Sequence, residues 1–196
     1  MKTIASTALP AHVQQPRYDR EQLRSRIVHF GFGAFHRAHQ ALLTNRVLNA
    51  KGGDWGICEI SLFSGDVLMG QLRAQDHLFT VLEKGAEGNQ PIIIGAVKEC
   101  LNAKLDSLAA IIEKFCEPQV AIVSLTITEK GYCIDPATGK LDMRNSRILH
   151  DLEHPSEPHS APGILVEALH RRRERGLPAF TVLSCDNIPD NGHVVK

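Results

Sequence analysis

Apolar residues fall along this 196-residue chain in short, nearly unbroken runs separated by amphipathic stretches. Five runs read as strands: 27–30, 56–62, 91–97, 120–128 and 180–185, with 77–83 as a candidate sixth. Several are continuous in Ile, Val, Leu and Phe rather than alternating, the pattern of strands buried on both faces. Helical spacing fills the intervals. Residues 35–49 place Leu42, Leu43, Val47 and Leu48 on one repeating face. Residues 107–115 follow an Asp106-Ser107 start signal and space Leu108, Ile111, Ile112 and Phe115 as a helix does. Residues 163–175 carry Ile164, Leu165, Ala168 and Leu169, then a basic end and Gly176 as a stop. Strands alternating with helices predict an α/β fold built of βαβ units around a mostly parallel sheet.

Three segments interrupt that rhythm. Runs 77–83 and 91–97, joined by Gly85-Ala86-Glu87-Gly88-Asn89, read as an inserted hairpin. Residues 132–141, with Asp135-Pro136-Ala137-Thr138-Gly139, read as a second turn excursion. Residues 154–162, rich in Pro and Ser, read as a loop. Residues 1–25 form a polar lead-in and 26–196 the folded domain. Residues 190–196 begin a helix, and the sequence stops with Val194 and Val195 showing. A helix so short is below the ~12–15 residues of marginal stability. The expectation is a C-terminally truncated domain, part of a longer protein.

Composition narrows the partners. Lys plus Arg and Asp plus Glu number 22 each, so the formal net charge is zero, and the mean hydropathy is -0.13. Nothing in that balance favours nucleic acid or a membrane surface. No apolar run approaches the ~20 residues of a membrane span, and the first residues lack the apolar core of a secretory signal. Cys58, Cys100, Cys116, Cys133 and Cys185 are scattered and never form C-x-x-C. They predict free thiols, no disulfide framework, no cysteine metal site and a reduced, cytoplasmic setting.

The chemistry concentrates at 27–40, I-V-H-F-G-F-G-A-F-H-R-A-H-Q. A strand runs into glycines at alternate positions and then into a helix. That order builds a phosphate site: Gly31 and Gly33 let backbone approach an anion, the helix start offers N–H groups, and Arg37 adds charge. The third glycine of G-x-G-x-x-G is replaced by His36. By itself a G-x-G after a strand also fits a plain turn.

G-F-G-A-F-H-R-A-H-Q resembles the N-terminal signature of the mannitol dehydrogenase family, the polyol-specific long-chain dehydrogenases and hexuronate reductases. The resemblance continues through D-W-G-I-C-E-I-S-L at 54–62, Q-D-H-L-F-T-V-L-E-K at 75–84, S-L-T-I-T-E-K-G-Y at 124–132 and S-C-D-N-I-P-D-N-G at 184–192. It is nearest the fructuronate reductase branch and implies a Rossmann-like, doubly wound domain. It further implies NAD and a small-molecule substrate, a secondary alcohol of an open-chain polyol or sugar acid or the matching ketone. Gly31, Phe32, Gly33, Ala34, Phe35, His36 and Arg37 then match the dinucleotide turn. An acid after the second strand should meet the adenosine ribose hydroxyls; Asp66 is the candidate and Glu59 the alternative. Asn187 matches the asparagine that hydrogen-bonds the substrate oxygen as it becomes an alkoxide, although Asn also suits a strand-to-helix turn. Glu129 matches a glutamate that passes protons between site and solvent, or is an exposed turn residue. The family's catalytic lysine lies in K-x-x-x-x-N-x-x-H of a C-terminal helical domain. That motif does not occur in this sequence, and Lys196 is not its lysine. The expectation is coenzyme binding without turnover. A non-catalytic nucleotide-binding domain is the competing reading.

Two further motifs point elsewhere. His150-Asp151-Leu152-Glu153-His154 spells H-x-x-E-H, but Pro155 and Pro158 end any helix there. His36 and His39 could share an ion, yet the turn and the helix surface claim them separately, so no metal is expected. The run Arg171-Arg172-Arg173-Glu174-Arg175 suits a solvated helix end facing the macrodipole better than a nucleic-acid patch.

Overall fold

A computed structural model describes residues 8–62, 64–86 and 88–195. Residues 1–7 of the lead-in and Lys196 lie outside the described residues. Seven strands form among the described residues: β1 Arg24–Phe30, β2 Trp55–Ser61, β3 Phe79–Gly85, β4 Gly88–Ile94, β5 Val97–Asn102, β6 Ile122–Leu125 and β7 Thr181–Ser184. Five of them make one sheet in the order β5-β2-β1-β6-β7, parallel throughout. The chain reverses its direction of winding between β1 and β6, the switch point at which such sheets open a crevice. β3 and β4 pair antiparallel as the inserted hairpin.

Nine helices accompany the strands among the described residues: α1 Ala34–Ala38, α2 Gln40–Lys51, α3 Asp66–Ala74, α4 Ala103–Asp106, α5 Leu108–Phe115, α6 Thr128–Gly131, α7 Ser146–Glu153, α8 Ala161–Glu174 and α9 Asn191–Val194. Side-chain caps start several of them. Ser107 Oγ accepts from Ala110 N–H, Asn145 Oδ1 from Arg147 N–H, and Ser160 Oγ from Gly163 N–H. No helix among the described residues is long and apolar enough to cross a membrane. The five cysteines are free thiols, four of them buried.

Alternation along β1 and β2 sends apolar side chains to both faces. Val28, Phe30, Cys58 and Ile60 pack against Ile111, Ile112 and Phe115 of α5 and Ile164 and Ala168 of α8. Ile27 and Ile57 pack on the other face against Ala41, Leu42 and Leu48 of α2 and Ile92 and Ile94 of β4. A sheet buried on both sides follows, as the continuous runs predict.

Three elements differ from the periodicity. The run 91–97 is two strands, because the chain bends at Gly95. There the Gly95 N–H donates to the buried Asn45 Oδ1 at 3.0 Å, and a Cβ would lie 2.7 Å from Pro16. The strand after the bend, β5, escapes a hydrophobicity reading because it sits at the sheet edge and alternates. Its Lys98 and Glu99 pair with Glu21 and Lys114. The helix expected at 35–49 breaks at His39, with φ -119° and ψ -90°. That break rotates α2, so Ala41, Leu42, Asn45 and Leu48 are buried while Leu43 and Val47 face solvent. Helices α3 and α7 are amphipathic but short and have no counterpart in the expected elements.

The basic run is only partly a solvated helix end. Arg171 and Arg175 pair with Glu113, and Arg173 reaches His170. Arg172 is 1% exposed. Its guanidinium donates to the carbonyls of Pro178 (2.7 Å), Phe115 (2.8 Å), Glu117 (2.9 Å) and Val120 (3.2 Å). It thus ties α8 to the segment entering β6, and its planar fork lies over the Phe180 ring at 5.6 Å. Truncation would take this donor from the carbonyls of Phe115 and Val120, where the bonds are buried, and from those of Glu117 and Pro178. Arg172→Met should cost about 3 kcal/mol or more in urea unfolding. Arg172→Lys should recover only part of that, because one ammonium cannot span the four carbonyls.

Candidate functional site

The site grows from the place where β1 stops. Gly31 has φ +106°, and a Cβ there would sit 2.2 Å from the Thr126 carbonyl oxygen. Only glycine allows β1 and β6 to approach so closely. The turn is held on three sides. Gly31 N–H donates to Ile60 O at 3.0 Å. Its carbonyl accepts from Thr126 Oγ1 at 2.9 Å and lies 3.1 Å from His29 Nε2. Gly33 has an ordinary φ of -80°. Its Cβ would meet nothing within 4 Å, so the space in front of the turn is open.

Beneath the turn lies a buried polar stack. His29 and His36 are parallel rings 3.5 Å apart at 15°. His36 Nε2 is 2.6 Å from Glu59 Oε1, with both side chains fully buried. His29 Nδ1 lies 2.7 Å from Ser124 Oγ. Burial, then the neighbouring His36, pushes His29 well below the usual imidazole range. A neutral His29 facing the Gly31 carbonyl must carry its proton on Nε2, since a carbonyl only accepts. His29, His36 and Glu59 are also the one group with metal-ligand spacing among the described residues. Their geometry does not suit an ion. Stacked rings direct in-plane lone pairs along near-parallel lines, and both His29 nitrogens already have protein partners. The H-x-x-E-H segment fares no better: α7 ends at Glu153, and His150 stacks on His159 at 3.6 Å.

Two clefts open on either side of Thr126. The larger, about 670 Å³, is lined by Gly33, Ala34, Phe35, Glu129, Lys130 and Asn187 among others. The smaller, about 230 Å³, is lined by Gly31, Ser61, Ser64, Lys130 and Arg147 among others. The candidate proton-passing and alkoxide-binding residues, 58 positions apart in sequence, therefore face one cavity with the glycine turn.

Other candidates land elsewhere. His36 supports the turn from below through Glu59 and does not line either cleft. That pairing also removes Glu59 as the ribose acid, since its side chain is 0% exposed. Phe32 is buried edge-on against Phe79 at 5.4 Å. Arg37 folds back, its guanidinium 5.4 Å over the Phe32 ring and its Nε 3.4 Å from Gly33 O. Asp66 opens α3 and pairs with Lys104 at 3.3 Å. The loop between β2 and α3 is held by buried Asn102, whose amide donates to Ser61 O and Ser64 O.

Asp186 and Thr126 are structural finds. Asp186 accepts from Ile127 N–H (3.0 Å), Thr128 N–H (2.9 Å) and Tyr132 OH (2.7 Å). Burial pushes the Tyr132 phenol up, so it stays a donor to that carboxylate. This clip joins the ends of β6 and β7 and stabilises the left-handed Thr128, φ +63°. It is what sets Glu129 opposite Asn187. The S-C-D-N and T-I-T-E segments contain both residues, but no spacing rule links them.

Gly31→Ala should lower stability by about 3 kcal/mol in urea unfolding, from the positive φ and the collision with Thr126. The pH dependence follows from His29. Below the ordinary histidine value of about 6.5 the unfolded chain takes up a proton that buried His29 refuses. Stability should therefore fall as pH drops through that value, and His29→Gln should flatten this part of the profile.

The model of the mannitol dehydrogenase Rossmann domain matches residues 25–196. The uncharacterized oxidoreductase YeiQ of Escherichia coli (strain K12) is 85% identical over 196 residues, 100% of this chain and 40% of its own length. D-mannonate oxidoreductase of the same organism is 54% identical over 198 residues, again 100% and 40%. The Pseudomonas fluorescens mannitol 2-dehydrogenase, solved as a ternary complex with NAD and D-mannitol, superposes with a TM-score of 0.90 at 44% identity, covering 95% of this chain and 38% of that one. The chain thus spans about two fifths of the length of the curated relatives it matches. Its sheet order, its glycine turn and these matches agree: the chain belongs to the mannitol dehydrogenase family and forms that family's Rossmann domain.

Proposed function

We propose that this chain is the NAD-binding part of an oxidoreductase that interconverts a secondary alcohol and a ketone of an open-chain hexuronate or polyol, of the D-mannonate/D-fructuronate type. The observation that carries this reading is the single cleft shared by Gly33, Ala34, Phe35, Glu129 and Asn187. The open space before Gly33 fits a group that must touch backbone closely. When bound, NAD supplies the hydride acceptor or donor.

The chain's own residues have separable tasks. Gly31 to Phe35 hold the dinucleotide against the switch point. Asp66 receives the adenosine ribose hydroxyls and favours NAD. Asn187, exposed at the end of β7, donates its amide hydrogen to the substrate oxygen. Glu129, exposed on α6, moves the accompanying proton to solvent. This sequence contains no K-x-x-x-x-N-x-x-H, and no general base is assigned among its residues.

An oxidoreductase carrying this chain together with such a motif should consume NADH with fructuronate, tagaturonate or fructose. No consumption with any hexuronate or ketose would overturn the substrate assignment. For the chain alone, Gly33→Val should leave the melting temperature nearly unchanged, because its Cβ meets open space, while abolishing NADH binding in calorimetry. Unchanged affinity would remove the turn from the coenzyme site.

A further inference from the structure

Arg37, the arginine of the turn, lies against the Phe32 ring and lines neither cleft. One cation does stand where the two cavities meet. Lys130 lines both the larger cleft, with Gly33 and Asn187, and the smaller one, with Gly31 and Ser64. Among the described residues Thr126 is the only other one common to both linings, so the two form a ridge between the cavities. Among the described residues Lys130 makes no ion pair or side-chain hydrogen bond.

We propose that Lys130 is the phosphate-neutralising residue of this site, its ammonium meeting the pyrophosphate of a dinucleotide draped over the Thr126 ridge. This rests on the coenzyme reading above. A dinucleotide is two bulky groups joined by a doubly anionic link. A ridge between a small and a large cavity matches that shape, with the link at the crest. The crest would otherwise be electronegative, since Glu129 and Asp186 line the larger cleft beside it. Asp186 is engaged with backbone N–H groups and Tyr132, which leaves the Glu129 charge for Lys130 to offset. An unpaired ammonium on a solvated four-carbon stem can swing to either phosphate as a point charge, which suits a link with two phosphate groups.

The test measures NADH binding to the chain by fluorescence at low and high ionic strength, with melting temperatures in parallel. Lys130→Gln should weaken binding about fivefold at low salt, the effect of one solvent-exposed charge pair. It should also flatten the salt dependence, because the screened interaction is gone. Lys130→Arg should restore both, and Lys51→Gln at the end of α2 should change neither. The melting temperature should be the same for all. Binding by the wild-type chain with unchanged affinity and salt dependence in Lys130→Gln would overturn the role of Lys130 alone. No NADH binding by the wild-type chain would overturn the coenzyme reading and this role with it.

Discussion

The approach of the Gly31 backbone to Thr126 is the constraint on which the site depends. A side chain at Gly31 would hold β1 and β6 apart at the carboxyl end, where the sheet changes winding direction. With glycine there, the Thr126 hydroxyl and His29 both reach the Gly31 carbonyl, and the backbone beyond it is fixed before any ligand arrives. Rigid positioning of that kind matters because a site assembled only on binding loses affinity to the ordering it must impose.

The buried His29–His36–Glu59 stack is the polar cost of this arrangement. Three ionisable side chains sit in the core under an exposed turn, and two of their atoms, His36 Nδ1 and Glu59 Oε2, have no partner. A hydrophobic core would be cheaper at that point. What the stack provides is direction: a ring nitrogen aimed at one carbonyl and a carboxylate that keeps the first turn of α1 pinned to β2. His36, standing where a third glycine is usual, is therefore a structural substitution. The helix approaches the sheet through a bonded imidazole in place of a bare backbone.

Much of this was legible in the sequence, and the reasons for the remainder are physical. The central strands β1, β2 and β6 showed because both their faces are largely buried. The edge strand β5 and the bend at Gly95 did not, since an edge strand alternates and the bend depends on Asn45, 50 positions away. Gly31, Gly33, Glu129 and Asn187 were singled out by motif, and their nearness in space is a property of the topology. The clip by Asp186 and the folded-back Arg37 were invisible, because sequence gives a residue's type and place but not the direction of its side chain. The same limit explains Arg172, which its arginine neighbours Arg171 and Arg173 disguise as ordinary surface charge.

Arg172 has a consequence for how the domain comes apart. Its four carbonyl partners lie on the segment that enters β6 and on the connection to β7, so α8 and the β6–β7 half of the sheet share one anchor. Opening the entrance to β6 breaks bonds of the same guanidinium that holds the connection to β7, which couples the two segments. The cleft that carries Glu129 and Asn187 hangs from the far ends of those same strands. Its shape is thus coupled, through those strands, to the anchor at Arg172.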